Sequence, residues 1–480
     1  MTDSLKSQAV KGVVWSAVER FSVQGIQFVL SIIIARLVAP SEYGLIAMLG
    51  IFLAIAQTFI DSGFSNALIQ KKDRTEVDFS TVFYFNIVVS LVVYLILFLS
   101  APYIALFYKE PLLDIITKWV GLNIIISALS IVQRAKLTIQ LNFKTQAKAS
   151  LIAVIISGIC GIIMAYYGYG VWALVCQSLL NNLLNTLLLW SFTKWMPACI
   201  FSWQSFKKLF SFGSKLLLSG LLHTIYLNLY TLVIGKRYSA TDVGYYNRSF
   251  NFAQFPSVNI MNIFSRVVYP IQCELQSDRV LLDKVFIRFL RLSCFIVFPL
   301  MTLLAVLSKP LVLFLLTEKW KVVGDLLPIL CASYIFYPII VVNNQMLNVA
   351  GRSDFFLKAE FVKKTLSIIV LVITMRYSLI ILCFGLLFYN LCDSIIAIWY
   401  VKRVNAIGYL TQIKNLYPIF LLSFGMGVFV MIIVCFLSSS LLQLLLGLLG
   451  GILFYYLGIY LFKFDNERLF ISYILKRCAK

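Results

Sequence analysis

The sequence predicts an all-α polytopic membrane protein with about fourteen transmembrane helices. Two features of composition support this class. Of the 480 residues, 61% are hydrophobic and only 13% are charged, whereas soluble domains average roughly 45–50% apolar and about 25% charged residues. A third observation is that apolar runs long enough to cross a bilayer recur along the whole chain. Together these features exclude a soluble globular domain.

Apolar windows of about 19 residues place the spans along the chain. The first run follows a short polar N-terminus without an A-x-A-like cleavage site, so we predict a retained span rather than a signal peptide. In order, the spans are predicted near 12–37, 44–66, 80–105, 112–132, 149–168, 170–192, 213–234, 246–271, 286–307, 325–348, 357–376, 378–401, 416–437 and 440–462.

Lys and Arg concentrate in alternate loops, and this bias predicts the topology. Loops rich in these residues stay on the cytoplasmic side; Lys71, Lys72 and Arg74 form one of them, whereas the opposite loops hold few, such as Lys109. Both termini are therefore predicted to be cytoplasmic. The same bias explains the net charge of +21, so nucleic acid is not expected as a partner.

No cofactor or metal site is predicted. The ten cysteines occur singly, mostly within the spans, and behave as small apolar residues. His223 is the one histidine, which excludes a metal cluster built from several histidines.

An internal repeat predicts two lobes. The turn after the first span, residues 39–44 (APSEYG), is similar to the turn after the seventh, residues 239–244 (SATDVG). In both, the hydroxyl of Ser41 or Thr241 is expected to cap the next helix, and the following acid to favour its positive end. Because each copy follows the first span of a six-span block, we expect parallel repeats, as in many transporters.

The repeat sets the predicted domain boundaries. They are an N-lobe at 1–192 (spans 1–6), a linker at 193–212, a C-lobe at 213–402 (spans 7–12), and spans 13–14 with a tail at 403–480. The linker carries Trp195, Trp203 and Phe206 beside Lys207 and Lys208. This pattern predicts an amphipathic segment in the cytoplasmic interface.

Polar residues form stripes at helical spacing in several spans. Such stripes are either hydrogen-bonding contacts between helices or the lining of a hydrated cavity. For the sixth and tenth spans taken alone, contacts between helices explain the stripe well. The stripes on spans one, seven and eight are longer and include a cation, which favours a cavity. The predicted cavity residues are Gln24, Gln27, Asn181, His223, Tyr226, Asn251, Gln254 and Asn262.

Three cations lie within these spans: Arg20, Lys215 and Arg266. An ionised side chain inside a span costs at least about 2.5–3.5 kcal/mol, so a wet interior for an anionic ligand is predicted. Lys215 and Arg266 lie near cytoplasmic ends, where extension to the headgroups is the alternative. His223 is either a hydrogen-bonding wall residue or a proton switch.

Other charged residues complete the candidate site. Arg36 and Arg248 stand near the outer ends of spans one and eight and are expected to receive the ligand later in the cycle. Asp61 and Asp393 are deep acids and, with Glu19, are the candidates for binding a coupling proton or sodium ion. Glu19 is alternatively the partner of a charge on another helix.

Short segments from the first span to the eleventh, mostly at turns and helix ends, match those of a known family. They include Ile34–Gly44 (IARLVAPSEYG), Asp61–Phe64 (DSGF), Leu68–Lys71 (LIQK), Ile104–Tyr108 (IALFY), Gly168–Val175 (GYGVWALV), Ile234–Lys236 (IGK), Gly244–Tyr246 (GYY), Phe255–Pro256, Tyr269–Pro270, Glu318–Trp320 (EKW) and Ala350–Arg352 (AGR). Through these segments the chain resembles the Wzx-type, WzxC-like polysaccharide flippases of the MOP superfamily.

The resemblance implies two six-helix lobes around a central cavity plus two C-terminal helices, with alternating access. It also implies a lipopolysaccharide or exopolysaccharide biosynthesis role in the bacterial cytoplasmic (inner) membrane, with an undecaprenyl-diphosphate-linked oligosaccharide as cargo. Arg20, Lys215 and Arg266 would then bind the diphosphate. Membrane lipids, the polysaccharide polymerase and the chain-length machinery are the expected partners.

Three alternatives remain open from sequence. A lipid II-type peptidoglycan-precursor flippase would carry a similar diphosphate. A MATE-like multidrug exporter would share the architecture, although cationic drugs favour a cavity lined by acids. A membrane glycosyltransferase or polymerase would be an enzyme rather than a transporter, and such enzymes usually need long extracytoplasmic loops, which this chain lacks.

Overall fold

The computed structural model describes residues 22–61, 64–71, 73–140, 142–405 and 407–461, and all regular structure within these ranges is helical. The chain divides into two compact units, Met1–Gly244 and Tyr245–Lys480. The division falls inside a helix rather than at the predicted linker. The predicted lobe boundaries stay a prediction.

The first unit holds nine helices among its described residues, and a tenth helix begins in it. Their bounds are α1 (Ser22–Leu37), α2 (Pro40–Asp61), α3 (Phe64–Gln70), α4 (Glu76–Tyr108), α5 (Leu112–Ala128), α6 (Ile131–Ile139), α7 (Phe143–Tyr166), α8 (Val171–Thr193), α9 (Trp203–Arg237) and α10 (Ala240–Glu274), which continues into the second unit.

The second unit continues with eight further helices in its described part. They are α11 (Arg279–Val306), α12 (Ser308–Leu316), α13 (Lys321–Ile335), α14 (Tyr337–Val349), α15 (Ser353–Thr374), α16 (Leu379–Lys402), α17 (Tyr409–Cys435) and α18 (Ser440–Leu461), with a 3-10 turn at Glu318–Trp320. The core of this unit packs Phe286 and Leu290 of α11 against Met346 of α14, Val401 of α16 and Ile419 of α17.

Ten described segments are long and apolar enough to cross a membrane, so the chain is a multi-pass membrane protein. The other four predicted spans are helical in their described residues but are not in this set. Helix α1 is described only from Ser22 and is therefore short, whereas α9, α10 and α15 are 35, 35 and 22 residues long but more polar. The count of fourteen stays a prediction.

Two predicted spans contain breaks that composition did not reveal. The fourth continues past Ala128 as α6, and the tenth is divided into α13 and α14 at Phe336. Proline at position 338, in the first turn of α14, suits such a restart because its fixed φ angle fits a helix N-terminus.

The first part of the predicted interfacial linker is bound to α4. The indole of Trp195 donates to Glu76 Oε2 at 2.7 Å, and the backbone N–H groups of Ala198 and Ser202 donate to Ser80 Oγ and Thr81 Oγ1, both at 3.0 Å. The rest of the predicted segment forms the first turns of α9. The neighbouring side chains of Met196, Ile200, Phe201 and Trp203 are exposed, and the position of the segment in the membrane interface stays a prediction.

The repeated turns meet each other directly. Their helices begin at Pro40 and Ala240, so Ser41 and Thr241 lie inside the first turn and the predicted hydroxyl caps are wrong. The acids close both turns: Glu42 accepts from the Ala39 N–H at 2.9 Å, and Asp242 accepts from the Ser239 N–H at 3.2 Å. In the second turn a hydroxyl also caps the helix, because Ser239 Oγ accepts from the Asp242 N–H at 3.1 Å.

Glycine is required where the two turns cross. A Cβ on Gly44 would lie 1.7 Å from the carbonyl oxygen of Ala240, and one on Gly244 would lie 2.1 Å from that of Pro40. The contact is reciprocal between equivalent positions, which supports the parallel repeat.

Two segments that carry the family resemblance contact each other in the first unit. Lys236 Nζ donates to the Phe107 carbonyl at 2.6 Å and lies 4.2 Å from the centre of the Phe107 ring. A Cβ on Gly235 would lie 2.7 Å from the Tyr108 ring, whose hydroxyl donates to the Met48 carbonyl at 3.2 Å. These segments therefore fix how α9 packs beside α2 and α4.

Candidate functional site

Four predicted site residues cannot be placed. Arg20 and Glu19 lie outside the described residues, and the side chains of Lys215 and Asp61 are also outside the description, although their helices α9 and α2 are within it. Their predicted roles stay predictions. The site is therefore built from the remaining residues, unit by unit.

Helix α10 presents a polar stripe at the surface of the second unit. Asn251, Asn262 and Arg266 are exposed, and Gln254 is half-buried. Residues 251, 262 and 266 fall at i, i+11 and i+15, which places them on one side of a helix with 3.6 residues per turn. These members of the predicted stripe lie at the surface on one side of α10, with the exposed ring of Phe255 between Asn251 and Asn262, and the stripe ends in a cation.

An exposed apolar stripe runs along α10 beside the polar one. Ile263, Val267 and Ile271 follow each other at i, i+4 and i+8 and are 45%, 61% and 44% exposed. The helix packs into the unit through other residues, such as Ala253, Ser257 and Met261, which are buried. One helix therefore offers a cation with amides and, next to them, an aliphatic surface.

The length of α10 decides what its polar stripe can face. A helix of 35 residues is about 52 Å long, more than the hydrocarbon thickness of about 30 Å. Exposed amides and a guanidinium inside hydrocarbon would each cost several kcal/mol. The stripe is compatible with a membrane only where water reaches it.

Arg248 has a different environment from Arg266. It is half-buried, and its guanidinium carbon lies 5.4 Å from the centre of the Trp320 ring and 5.9 Å from that of Phe252. Trp320 is buried and belongs to the predicted EKW segment. Tyr245, three residues before Arg248, donates to the Lys319 carbonyl at 3.2 Å. Arg248 is therefore held by aromatic contacts at the start of α10.

The first unit contributes amides from α1 and α8. Gln24 Oε1 and Asn181 Oδ1 are buried and have no hydrogen-bond partner among the described residues, and the same holds for Asn185 Oδ1. Gln27 and Arg36 are exposed on α1. Buried carbonyl oxygens without partners cost free energy, so water or a ligand group is expected to satisfy these three.

Helix α9 separates its polar residues into two faces. Thr224 Oγ1 lies 3.0 Å from Thr58 Oγ1 of α2, and Gly220 also packs against Thr58, so this face binds the neighbouring helix. His223 lies next to Thr224 in sequence but is exposed, and Tyr226 is half-buried. The structure thus leaves His223 accessible at the surface of the first unit.

Helix α8 has a second polar stripe that sequence inspection missed. Asn182 donates to Asn123 Oδ1 at 2.7 Å, Asn123 donates to Ser178 Oγ at 3.1 Å, and Thr186 donates to the Ile126 carbonyl at 3.1 Å. These bonds join α8 to α5. The spacing of 178, 182 and 186 at i, i+4 and i+8 was the available signal.

Asp393 is buried as predicted, but it has a cationic partner that was missed. Its Oδ1 lies 2.8 Å from Nζ of Lys363, a side chain that is only 1% exposed. Lys363 also donates to Asn344 Oδ1 at 2.9 Å. The cluster joins α14, α15 and α16 deep in the second unit.

Three consecutive residues of α14 bind three different neighbours. Asn343 and Gln412 of α17 exchange two hydrogen bonds, of 3.0 and 2.9 Å. Asn344 binds Lys363, and Gln345 donates to Gln272 of α10 at 2.7 Å. The polar stripe of the tenth predicted span is therefore a set of contacts between helices, as one of the two open interpretations held.

No group of three or more His, Cys, Asp or Glu residues suited to hold a metal ion occurs in the part of the chain that the structure describes.

Comparison with known proteins identifies the family. The family described as "Polysaccharide biosynthesis protein" matches residues 33–325. The teichuronic acid biosynthesis protein TuaB of Bacillus subtilis (strain 168) is 26% identical over 73% of this chain and 73% of its own length. The lipopolysaccharide biosynthesis protein WzxC of Escherichia coli (strain K12) is 25% identical over 77% of this chain and 82% of its own length.

The fold is that of a solved flippase structure. The lipid II flippase MurJ in an inward closed conformation superimposes with a TM-score of 0.76 at 16% identity, covering 94% of this chain and 99% of that one. At this identity the match concerns the fold alone. The family match covers well over half of the 480 residues, and the chain belongs to the polysaccharide biosynthesis protein family.

Proposed function

We propose that this protein is a flippase, not an enzyme. Its proposed cargo is an undecaprenyl-diphosphate-linked oligosaccharide repeat unit, moved from the inner to the outer leaflet of the bacterial cytoplasmic membrane by alternating access. The cargo would supply O-antigen, capsule or exopolysaccharide assembly. The observation that carries the proposal is the surface of α10, where a polar stripe with a cation runs beside an exposed aliphatic stripe.

The two stripes match the two chemical halves of such a cargo. A diphosphate is an anion that a guanidinium binds with charge-assisted hydrogen bonds, and Arg266 is exposed for this contact. Sugar hydroxyls donate and accept hydrogen bonds, as do the amides of Asn251 and Asn262. A polyprenyl chain would lie along Ile263, Val267 and Ile271, which keep a large exposed fraction.

The amides of the first unit fit the same cargo. Asn181, Asn185 and Gln24 each hold a buried oxygen without a partner among the described residues, and sugar hydroxyls are donors that could satisfy them. With the predicted topology, the end of α10 near Arg266 is cytoplasmic. We propose that cargo is loaded there, with both termini of the protein on the same side.

The charge of α10 argues against export of cationic drugs. Its acids, Asp242 and Glu274, stand at the two ends of the helix, and the exposed cation between them is Arg266. A cationic ligand would be repelled there, because like charges near a protein surface repel each other more strongly than in bulk water. A lipid II-type flippase remains the second candidate, since its fold match is extensive and its cargo also carries a diphosphate.

Reconstitution separates these candidates. Purified protein is placed in liposomes that contain either a lipid-linked oligosaccharide repeat unit or lipid II, each fluorescently labelled on the sugar. A membrane-impermeant reagent then quenches the cargo that reaches the outer leaflet. We expect rapid flipping of the oligosaccharide carrier. Faster flipping of lipid II would favour the second candidate, and flipping of neither would contradict both.

A proton or sodium gradient is the proposed source of energy. A polymerase and its chain-length machinery are the proposed recipients of the flipped cargo. Co-purification of the polymerase and chain-length proteins with a tagged chain from native membranes would test whether they are partners. An unrelated multi-pass protein carrying the same tag is the control.

A further inference from the structure

The ammonium of Lys363 lies between two carboxylates at different depths of the second unit. Its Nζ is 2.8 Å from Asp393 Oδ1 and 3.7 Å from Glu360 Oε1, and it donates to Asn344 Oδ1 at 2.9 Å. Asp393 is buried, whereas the side chain of Glu360 is 30% exposed. One cation therefore has a buried acid as its present partner and a more exposed acid within reach.

Stability alone is a weak reason for such a pair. Removing two charges from water costs several kcal/mol each, and buried pairs can often be replaced by apolar residues without loss of stability. Ionisable groups within membrane segments, in contrast, commonly form proton relays or ion pathways. The geometry of Lys363 suits that second role, because the ammonium can change partner without leaving an oxygen environment.

We propose that Asp393 is a proton-binding site and that Lys363 is the element that responds to it. The inference rests on the proposed function, since proton binding drives work only in a transporter. When Asp393 takes one proton from water, its carboxylate becomes a neutral acid and its attraction for Lys363 is lost. Lys363 keeps its three protons and moves to Glu360, which stays ionised.

Among the described residues, the charged groups around Asp393 belong to α15. They are Lys363, Glu360 and Lys364, whose Nζ lies 3.6 Å from Glu360 Oε2. Helix α16 adds the hydroxyl of Tyr389, 3.4 Å from Asp393 Oδ2, and α14 adds the neutral amide of Asn344. When Lys363 moves towards Glu360, its ammonium therefore leaves its partners on α16 and α14 and approaches its own helix, α15.

Residues 343–345 of α14 connect Lys363 to α10, the helix that is proposed to bind the cargo. Asn344 binds Lys363, and the next residue, Gln345, donates to Gln272 of α10 at 2.7 Å. Gln272 is buried, six positions beyond the exposed Arg266. When Lys363 leaves Asn344, α14 loses its bond to α15 but keeps its bond to α10. A change in the protonation of Asp393 thereby changes the contacts of α14, and the kept bond transmits this change to α10, which carries the polar stripe.

The test compares flipping with and without a proton gradient in proteoliposomes. The gradient is expected to accelerate flipping by the unmodified protein. Asp393→Asn, Glu360→Gln and the neutral double variant Lys363→Met with Asp393→Asn are expected to flip cargo at rates that no longer respond to the gradient. The matched control is Lys309→Gln with Asp325→Asn, which neutralises an exposed pair of 3.1 Å in the same unit and should keep the response.

Each outcome bears on the proposal. A purely structural pair predicts that the neutral double variant and Glu360→Gln both keep the gradient response, and that result would overturn the switch. Absence of cargo flipping in the unmodified protein would instead contradict the proposed function. Infrared titration then still tests the site: a carboxylic-acid C=O band is expected on acidification and should be missing in Asp393→Asn. A spectrum identical in the two proteins would overturn proton binding at Asp393.

Discussion

Helices α10 and α14 both carry Asn and Gln residues through the second unit, yet the two helices use them in opposite ways. On α14, Asn343, Asn344 and Gln345 are each bonded to a side chain of a different helix. On α10, Asn251 and Asn262 are exposed and lead to the exposed cation of Arg266. Similar residue types thus build a scaffold in one helix and a surface in the other.

The difference shows what distinguishes a structural amide from a functional one in a membrane protein. A buried amide needs a partner, because an unsatisfied polar group costs about 1–3 kcal/mol. An exposed amide on a long helix needs water, since lipid cannot satisfy it. Burial and a partner on another helix therefore separate the two classes, since the exposed Asn251 donates to Asn247 of its own helix. The following variants test whether the separation holds.

The largest effect on function is expected at Arg266. Arg266→Gln keeps a polar side chain but removes the charge, and a hydrogen bond to a charged group is worth about 1.5–3 kcal/mol. Flipping of the lipid-linked oligosaccharide should fall roughly ten- to a hundredfold, with the amount of folded protein unchanged. The matched control is Arg376→Gln, because Arg376 is exposed in a turn after α15. Equal flipping by both variants would remove Arg266 from the site.

The next effect concerns stability and the amide pair of α14. Asn343→Leu leaves Gln412 buried without its partner, which should lower the free energy of unfolding by about 1–3 kcal/mol. Adding Gln412→Leu removes the orphaned group and should recover most of the loss. Thermal unfolding in detergent, run as a double-mutant cycle, measures both values. Additive losses would mean that the two amides do not act as a pair.

A smaller effect on stability is expected from a substitution in the exposed polar stripe of α10. Asn262→Leu should change the free energy of unfolding by no more than about 0.5 kcal/mol, as for most surface substitutions. The same variant should slow flipping by roughly two- to tenfold, the value of one net hydrogen bond. Ile263→Leu, at the neighbouring exposed position, is the control. A loss of stability as large as that of Asn343→Leu would erase the distinction between the two helices.

The smallest effect is expected for an exposed ion pair at the start of α15. Arg352 binds Asp354 at 2.8 Å and holds the pKa of that carboxyl at about 2, below its ordinary value of 3.8. This contribution to stability is present above pH 3.8 and is lost as the pH falls towards 2. Because solvent screens the pair, this contribution is small, and Arg352→Gln should lower the melting temperature at neutral pH only slightly. A clear decrease would show that exposed pairs of α15 stabilise the fold.

Helical spacing in the sequence was enough to find the stripe of α10. Asn251, Asn262 and Arg266 share one face by periodicity alone, and the structure exposes all three. The ten apolar segments and the family were likewise within reach of composition and short turn segments. These features depend on residues close together in the chain.

Features that depend on distant residues were not predictable. Lys363 stands between Glu360 and Lys364 in a charged run, and only the fold shows that it turns towards Asp393, thirty positions later. The indole of Trp195 likewise donates to Glu76, 119 positions earlier in the chain. Spacing in the sequence could not reveal this contact, which binds part of the predicted interfacial segment to α4. Sequence also could not tell whether Asn343 faces a cavity or another amide.

Water accessibility along α10 tests the central claim most directly. The ten native cysteines are replaced, and single cysteines are introduced by Asn251→Cys and Asn262→Cys on the polar stripe and by Ala253→Cys, Ser257→Cys and Met261→Cys on the buried side. The protein in membranes is then treated with a charged maleimide. We expect rapid labelling at 251 and 262, slowed by lipid-linked oligosaccharide, and none at 253, 257 or 261. Equal labelling of both sides, or no labelling of the polar stripe, would contradict a hydrated cargo surface on α10.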